Sequence, residues 1–164
     1  MSRTAQRKGT CRAALRGAAS SPASASDVLT VTLGWTAPRN VTAAGELGAR
    51  QVGLMRRLAC AALDQWGLQA VAEDLALVIS ELVTNALRHG GGCTSVCLSH
   101  GSAGTIHLEV RQKSRCLPQV LPTSAEDESG RGLLIVSSLS DSWGVGESGD
   151  SVWCTLAPKA GATS

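Results

Sequence analysis

The sequence predicts a two-layer α/β (α+β) sandwich in which helices cover one face of a mixed, mostly antiparallel sheet. Hydrophobic residues make up 43% of the 164 residues, with no Phe or Tyr and only four Trp, so the core must consist of Leu, Val, Ile and Ala. Helical and strand patterns follow the order strand, two helices, two strands, loop, helix, two strands. This order favours helices gathered on one side of the sheet.

The two ends of the chain differ from the folded part. Residues 1–26 carry five basic residues and no acid, are rich in Ala and Ser, and lack hydrophobic periodicity, which predicts a disordered basic tail. An organellar transit peptide has a similar composition. One domain is expected over residues 27–158, followed by a short tail at 159–164. Beyond residue 26 the chain has ten basic and thirteen acidic residues, so we expect no nucleic-acid surface.

The domain is predicted to begin with a strand at 28–35 and a helix that ends near Trp66. Asn40 or Thr42 can cap this helix. Its expected apolar stripe consists of Leu47, Leu54, Leu58 and Ala62, with Arg50, Arg56, Arg57 and Asp64 outside the stripe. A second helix, apolar nearly all round, is predicted over 71–89, and the three glycines at 90–92 end it.

The second half of the domain is predicted to contain four strands, one helix and one long loop. In the strand at 103–112, which follows one at 93–100, apolar and polar residues alternate, as in an antiparallel sheet with one covered face. Residues 113–129 lack periodicity, which predicts a mobile loop or lid. A helix at about 131–141 and strands near 143–147 and 151–156 follow. Trp143 and Trp153 are predicted to pack in the core or at a sheet edge.

The second helix has one narrow polar stripe in its later half, formed by Glu81, Thr84, Asn85 and Arg88. Glu81 and Asn85 are four residues apart, so both can reach one small target. Asn85 could supply an oxygen ligand to Mg²⁺, which prefers hard oxygen ligands and phosphates. Glu81 could act as a base near a terminal phosphate. On this helix alone, a solvated stripe with an i,i+4 hydrogen bond explains the same residues.

Two glycines, Gly130 and Gly132, flank Arg131 where the third helix is predicted to begin. Glycine lets the backbone approach a ligand closely, and the free N–H groups of a helix start attract phosphate. Arg131 could contact phosphate or face water. A plain loop-to-helix turn would have the same sequence.

Residues 81–89 (ELVTNALRH) resemble the N-box of the Bergerat-fold (GHKL) ATPases, which include sensor histidine kinases, DNA gyrase B subunits and anti-sigma-factor serine kinases. Residues 130–134 (GRGLL) resemble the later glycine box of these proteins. The segment DSWG at 141–144, with Val152 and Trp153, is most similar to small stand-alone proteins related to anti-sigma serine kinases. The resemblance covers roughly residues 28–157 and implies a Bergerat ATP-binding fold.

One position departs from the pattern of this family. Gln112 stands where the family usually has an Asp that accepts a hydrogen bond from the adenine amino group. By strand alternation Gln112 shares the covered face with Val110. Its carbonyl can still accept, and its NH2 could donate to the adjacent ring nitrogen. Loss of a charge-assisted bond costs about 1–3 kcal/mol, or roughly ten- to a hundredfold in affinity.

The resemblance implies an ATP-binding regulatory protein of the anti-sigma factor and serine/threonine-protein kinase type, with ATP and Mg²⁺ as cofactors. It implies that Asn85 holds Mg²⁺, that Glu81 is the catalytic base, and that Gln112, Gly130, Arg131 and Gly132 contact the nucleotide. The expected partners are a sigma factor, an anti-anti-sigma protein, or both. A homodimer is left open.

Two alternatives remain at this point. A degenerate member of the family would bind partners without catalysis, and Gln112 favours this alternative. A histidine-kinase-like catalytic module ranks third, because no phosphoacceptor-histidine helix pair is expected ahead of the domain. Six scattered cysteines without a secretory signal indicate a reduced, cytoplasmic protein. No apolar run approaches the ~20 residues of a membrane span, so no membrane contact is expected.

Overall fold

The computed structural model describes residues 25–34, 41–89, 93–101, 103–112 and 128–159. The elements are β1 (Ala25–Gly34), α1 (Val41–Trp66), a 3₁₀ turn (Gln69–Val71), α2 (Ala72–His89), β2 (Cys93–Gly101), β3 (Ile106–Gln112), α3 (Glu128–Leu139), β4 (Ser142–Val145) and β5 (Ser151–Leu156). This order is the one that the sequence predicts.

The five strands form one sheet in the order β1-β2-β3-β5-β4. Every pairing between these strands is antiparallel. In the register, Val96 lies opposite Val110, and Val110 lies opposite Val152, so one apolar row crosses the three central strands. The expected two-layer sandwich with a mostly antiparallel sheet is confirmed.

The helices cover one face of the sheet, and the core lies between the two layers. In β3, Ile106, Leu108 and Val110 are buried, while Arg111 on the opposite face is exposed. The predicted alternation of covered and solvent-exposed positions is therefore correct. The largest fully buried side chains are aliphatic, as the composition requires: Met55, Leu63, Leu75, Ile79, Leu98, Ile106, Leu108, Val78, Val83, Val96, Val110 and Val136.

The apolar stripe of α1 differs from the predicted one. The buried residues are Met55, Ala59, Ala62 and Leu63, whereas Leu47 and Leu54 are 37% and 40% exposed. Of the predicted stripe, Ala62 is buried and Leu58 is half-buried against the core. Both stripes follow helical spacing, and the position of α2 beside α1 selects the one that is covered.

Trp143 packs as predicted, whereas Trp153 lies neither in the core nor in an edge strand. Trp143 packs against the core. Trp153 lies on the other face of the sheet, where its ring stacks on His107 with ring centroids 6.1 Å apart. The same indole covers Gly144, because a Cβ on that glycine would lie only 2.9 Å from the ring.

Cys154, the next residue of β5, is buried. Burial raises the pKa of its thiol to about 12, so Cys154 is a packing residue and an unreactive thiol.

Three boundaries differ from the predictions or lie beyond what the structure describes. β1 begins at Ala25, inside the expected tail. α3 begins at Glu128, about three residues before the predicted start, so the glycines belong to the helix. Residues 113–127, which make up most of the expected lid, lie outside the part that the structure describes. The tails at 1–24 and 160–164 and the glycines at 90–92 lie outside it as well. Among the described helices, none is both long and apolar enough to cross a membrane.

Candidate nucleotide site

The later half of α2 places one carboxylate and one carboxamide side by side. Most of the helix surface is apolar and buried against α1, α3 and the sheet, through Leu75, Val78, Ile79, Leu82, Val83, Ala86 and Leu87. This packing fixes the rotation of the helix. The remaining stripe holds Glu81, which is half-buried, and Asn85, which is only 6% exposed. A solvated stripe would leave Asn85 exposed, so the solvated interpretation does not fit Asn85.

Gly132 brings α3 onto this polar pair. A Cβ at Gly132 would lie 2.6 Å from Glu81 Oε2 and 3.2 Å from Asn85 Nδ2. A side chain at this position would therefore make the Glu81 carboxylate shift, whereas glycine leaves the carboxylate in place beside α3. The sequence pattern assigns Gly132 to phosphate, and the structure adds this packing role.

The earlier start of α3 changes what each glycine can offer to a phosphate. The first four N–H groups of a helix have no intrahelical acceptor, and in α3 (Glu128–Leu139) these include that of Gly130. Gly132 is the fifth residue, so its N–H belongs to the helical ladder. An anion at this helix start would therefore meet the N–H of Gly130 before that of Gly132.

Two amide atoms, one on Asn85 and one on Gln112, are buried without partners among the described residues. Neither Nδ2 of Asn85 nor Oε1 of Gln112 has a hydrogen bond within the part of the chain that the structure describes. A buried polar atom without a partner costs about 1–3 kcal/mol. A buried amide atom of this kind calls for a partner, and a ligand, an ion or an ordered water can supply it. Both belong to residues that the sequence assigns to the nucleotide.

Gln112 lies on the covered face of β3, as strand alternation predicts, and is 4% exposed. Its backbone N–H donates to the carbonyl of Asp150 at 2.7 Å, and Thr94 is its partner in β2. Thr94 is 1% exposed and adds a buried polar residue that the sequence analysis misses. Its position beside Gln112 follows only from the strand register, because the two residues lie in different strands.

Arg131 and His89 adjoin this arrangement along the chain. Arg131 is exposed on α3, next to Gly132. His89 is the last residue of α2, and its side chain lies outside what the structure describes. The site is therefore lined by α2, by the end of β3 and by the start of α3.

Comparison with known families agrees with this arrangement. A model of the histidine kinase-like ATPase domain matches residues 46–156, which is more than half of the chain and extends from within α1 to the end of β5. The chain belongs to the histidine kinase-like ATPase family. The resemblance to GHKL proteins is thereby confirmed, and the matched domain is of the ATP-binding type. No curated protein matches the chain.

The residues present fit the nucleotide and metal that this ATPase family implies. No three His, Cys, Asp or Glu side chains among the described residues gather into a metal cluster. Mg²⁺ commonly takes one or two protein oxygens together with phosphate and water. Asn85, which lies beside Gly132, carries one amide oxygen that could serve as such a ligand.

The contact between Gly132 and Glu81 gives a first prediction. Gly132→Ala should displace the Glu81 carboxylate and lower the rate of ATP turnover roughly tenfold or more, because a misplacement of about 1 Å can cost a hundredfold. ADP formation and thermal unfolding are the measurements. Gly53→Ala is the control, since a Cβ there meets only Arg57 at 3.6 Å, and it should stabilise α1 by about 0.5–1 kcal/mol. Equal turnover in both variants would show that Glu81 does not depend on Gly132.

Proposed function

We propose that this protein binds Mg-ATP between α2, β3 and α3 and acts as a regulatory serine-protein kinase of the anti-sigma type. The observation that carries the nucleotide part is the pair of buried, unpartnered amide atoms on Asn85 and Gln112. The anti-sigma part rests on the similarity of residues 81–89, 130–134 and 141–153 to that group. The partners would be a sigma factor, which the protein sequesters, and an anti-anti-sigma protein that carries a serine.

In this proposal each residue of the site has one task. Asn85 Oδ1 is the protein ligand of the metal, and Gln112 binds the adenine ring of the nucleotide. The N-terminal turn of α3, with Gly130 and Arg131, meets the phosphates. Glu81 accepts the proton of the attacking serine hydroxyl as its oxygen bonds to the terminal phosphorus and ADP leaves. Bound Mg²⁺ would supply charge neutralisation on the triphosphate.

The position of Glu81 supports its role as the base. Glu81 is half-buried, and its Oε2 lies where a Cβ on Gly132 would be only 2.6 Å away. A carboxylate held at the start of α3 lies where the N–H groups attract phosphate. It is thus near the phosphate end of the pocket, whereas Gln112 lies at the end of β3.

A second candidate function is partner binding without catalysis, and Gln112 is the observation that favours it. An uncharged amide holds an adenine amino group less strongly than a carboxylate does. The same sequestering role toward a sigma factor would then need no phosphoryl transfer.

Nucleotide binding by the purified full chain separates the two candidates. Calorimetry with ATP in Mg²⁺ and in EDTA is the measurement, with CTP as the pyrimidine control. We expect saturable heat with Mg-ATP, weaker binding in EDTA, and none with CTP. No heat and no thermal shift at millimolar Mg-ATP would rule out the nucleotide site and leave the partner-binding function.

A further inference from the structure

Gln112 combines a fixed backbone with a side-chain carbonyl that no described residue binds. The backbone is fixed, because its N–H donates to Asp150 O at 2.7 Å and its Cα pairs with Thr94 in β2. The side chain is 4% exposed, and Oε1 has no hydrogen-bond partner among the described residues. The backbone of Gln112 is thus fixed in the sheet, while the oxygen of its side-chain amide has no partner among the described residues.

The topology brings this amide to the same end of the molecule as the polar pair of α2. α2 ends at His89 and β2 begins at Cys93, so Thr94, the register partner of Gln112, lies close to the end of α2. Asn85 lies one turn before that end. Gln112 therefore lies toward the same end of α2 as Asn85, which in turn lies beside Gly132 of α3.

Building on the nucleotide site proposed above, we propose that Gln112 reads the purine base and that the site accepts 6-oxopurine nucleotides, guanine nucleotides among them, as well as ATP. In adenine the 6-amino group donates and N1 accepts. In a 6-oxopurine, O6 accepts and N1–H donates. A glutamine amide has one acceptor and one donor branch, so a half-turn of its amide matches either edge in the same base position.

A carboxylate in this position could not do the same. It only accepts hydrogen bonds, so it suits the amino group of adenine and would face O6 of an oxopurine with no proton between them. A site strongly rejects a ligand that leaves a buried polar group without a hydrogen bond. Gln112 removes that penalty, because either orientation of the amide gives two hydrogen bonds. Discrimination between the two purine classes should therefore be small.

The test is calorimetry on the full chain with the Mg²⁺ complexes of ATP, ITP and GTP. ITP differs from ATP only at the edge that Gln112 would read, and GTP adds the 2-amino group. We expect ITP or GTP to bind within tenfold of ATP. The variant Gln112→Asp should tighten ATP and weaken ITP, so that the ratio of their affinities rises at least tenfold.

The outcomes separate this inference from the proposed function. If ATP binds while ITP and GTP both bind more than tenfold more weakly, the inference that Gln112 recognises both purine classes is overturned. The proposed ATP site would then remain. Binding of no nucleotide at all would overturn both. If Gln112→Asp fails to fold, the wild-type ratio alone still decides, because it needs no variant.

Discussion

Replacing Asn85 with alanine should lower the affinity for Mg-ATP about a hundredfold or more, with little change in the melting temperature. Loss of groups that merely support a metal ligand already costs roughly ten- to a hundredfold in metal affinity, and Asn85 would be the ligand itself. The fold should tolerate the change, because Asn85 Nδ2 makes no hydrogen bond to any described residue. Calorimetry with and without EDTA, together with thermal unfolding, is the measurement.

The control for Asn85→Ala is Ser80→Ala on the same helix. The Ser80 hydroxyl donates to the carbonyl of Ala76 at 2.7 Å, so it is committed to the helix and not to the pocket. We expect Ser80→Ala to bind Mg-ATP like the wild type. A loss in Asn85→Ala that is the same in EDTA as in Mg²⁺ would show that Asn85 contacts the nucleotide directly and holds no metal.

Replacing Glu81 with glutamine should lower the rate of phosphoryl transfer by about 10²–10⁴, the usual contribution of a general base, with nucleotide affinity unchanged. Glutamine keeps the size of the side chain, so the contact with Gly132 is retained. Glu81→Ala should have the same effect on rate. ADP formation in the presence of a serine-containing peptide library, measured beside the affinity, tests this division between binding and chemistry.

Glu109→Gln is the matched control. Like Glu81→Gln it replaces a carboxylate by an amide of the same size, but it does so on the other face of the sheet. Glu109 accepts a hydrogen bond from Arg111 at 3.0 Å and lies away from the helices. Its loss should leave ADP formation unchanged, since an exposed ion pair contributes only about 0–1 kcal/mol to stability. If Glu81 and Asn85 variants lose nucleotide affinity equally, the two side chains do not have the separate roles proposed for them.

The sequence predicted the local parts of this site well, because they depend on regular spacing. Glu81 and Asn85 share a helix face by the helical repeat, and both meet Gly132 in the structure. Gln112 follows from the alternation of β3, and it is buried as predicted. The order of the elements followed in the same way, since each element has its own period and its own end signals.

The sequence could not predict which of two overlapping stripes on α1 is buried. Leu47 and Leu54 are more hydrophobic than Ala59, yet Ala59 is buried and the two leucines are partly exposed. Helical spacing allows both faces, and the neighbouring helix decides between them. The start of α3 was placed late for a related reason, because glycine signals a helix end more often than a helix interior.

By itself the sequence determined the fold class, the order of the elements and the identity of the residues that could hold a nucleotide. These depend on short-range periods and on motif spacing, which the chain carries locally. Only the tertiary structure decided that Gly132 lies against Glu81 and Asn85 and that the amides of Asn85 and Gln112 are buried without partners. Such contacts join segments from separate helices and strands, so they exist only once the layers have packed.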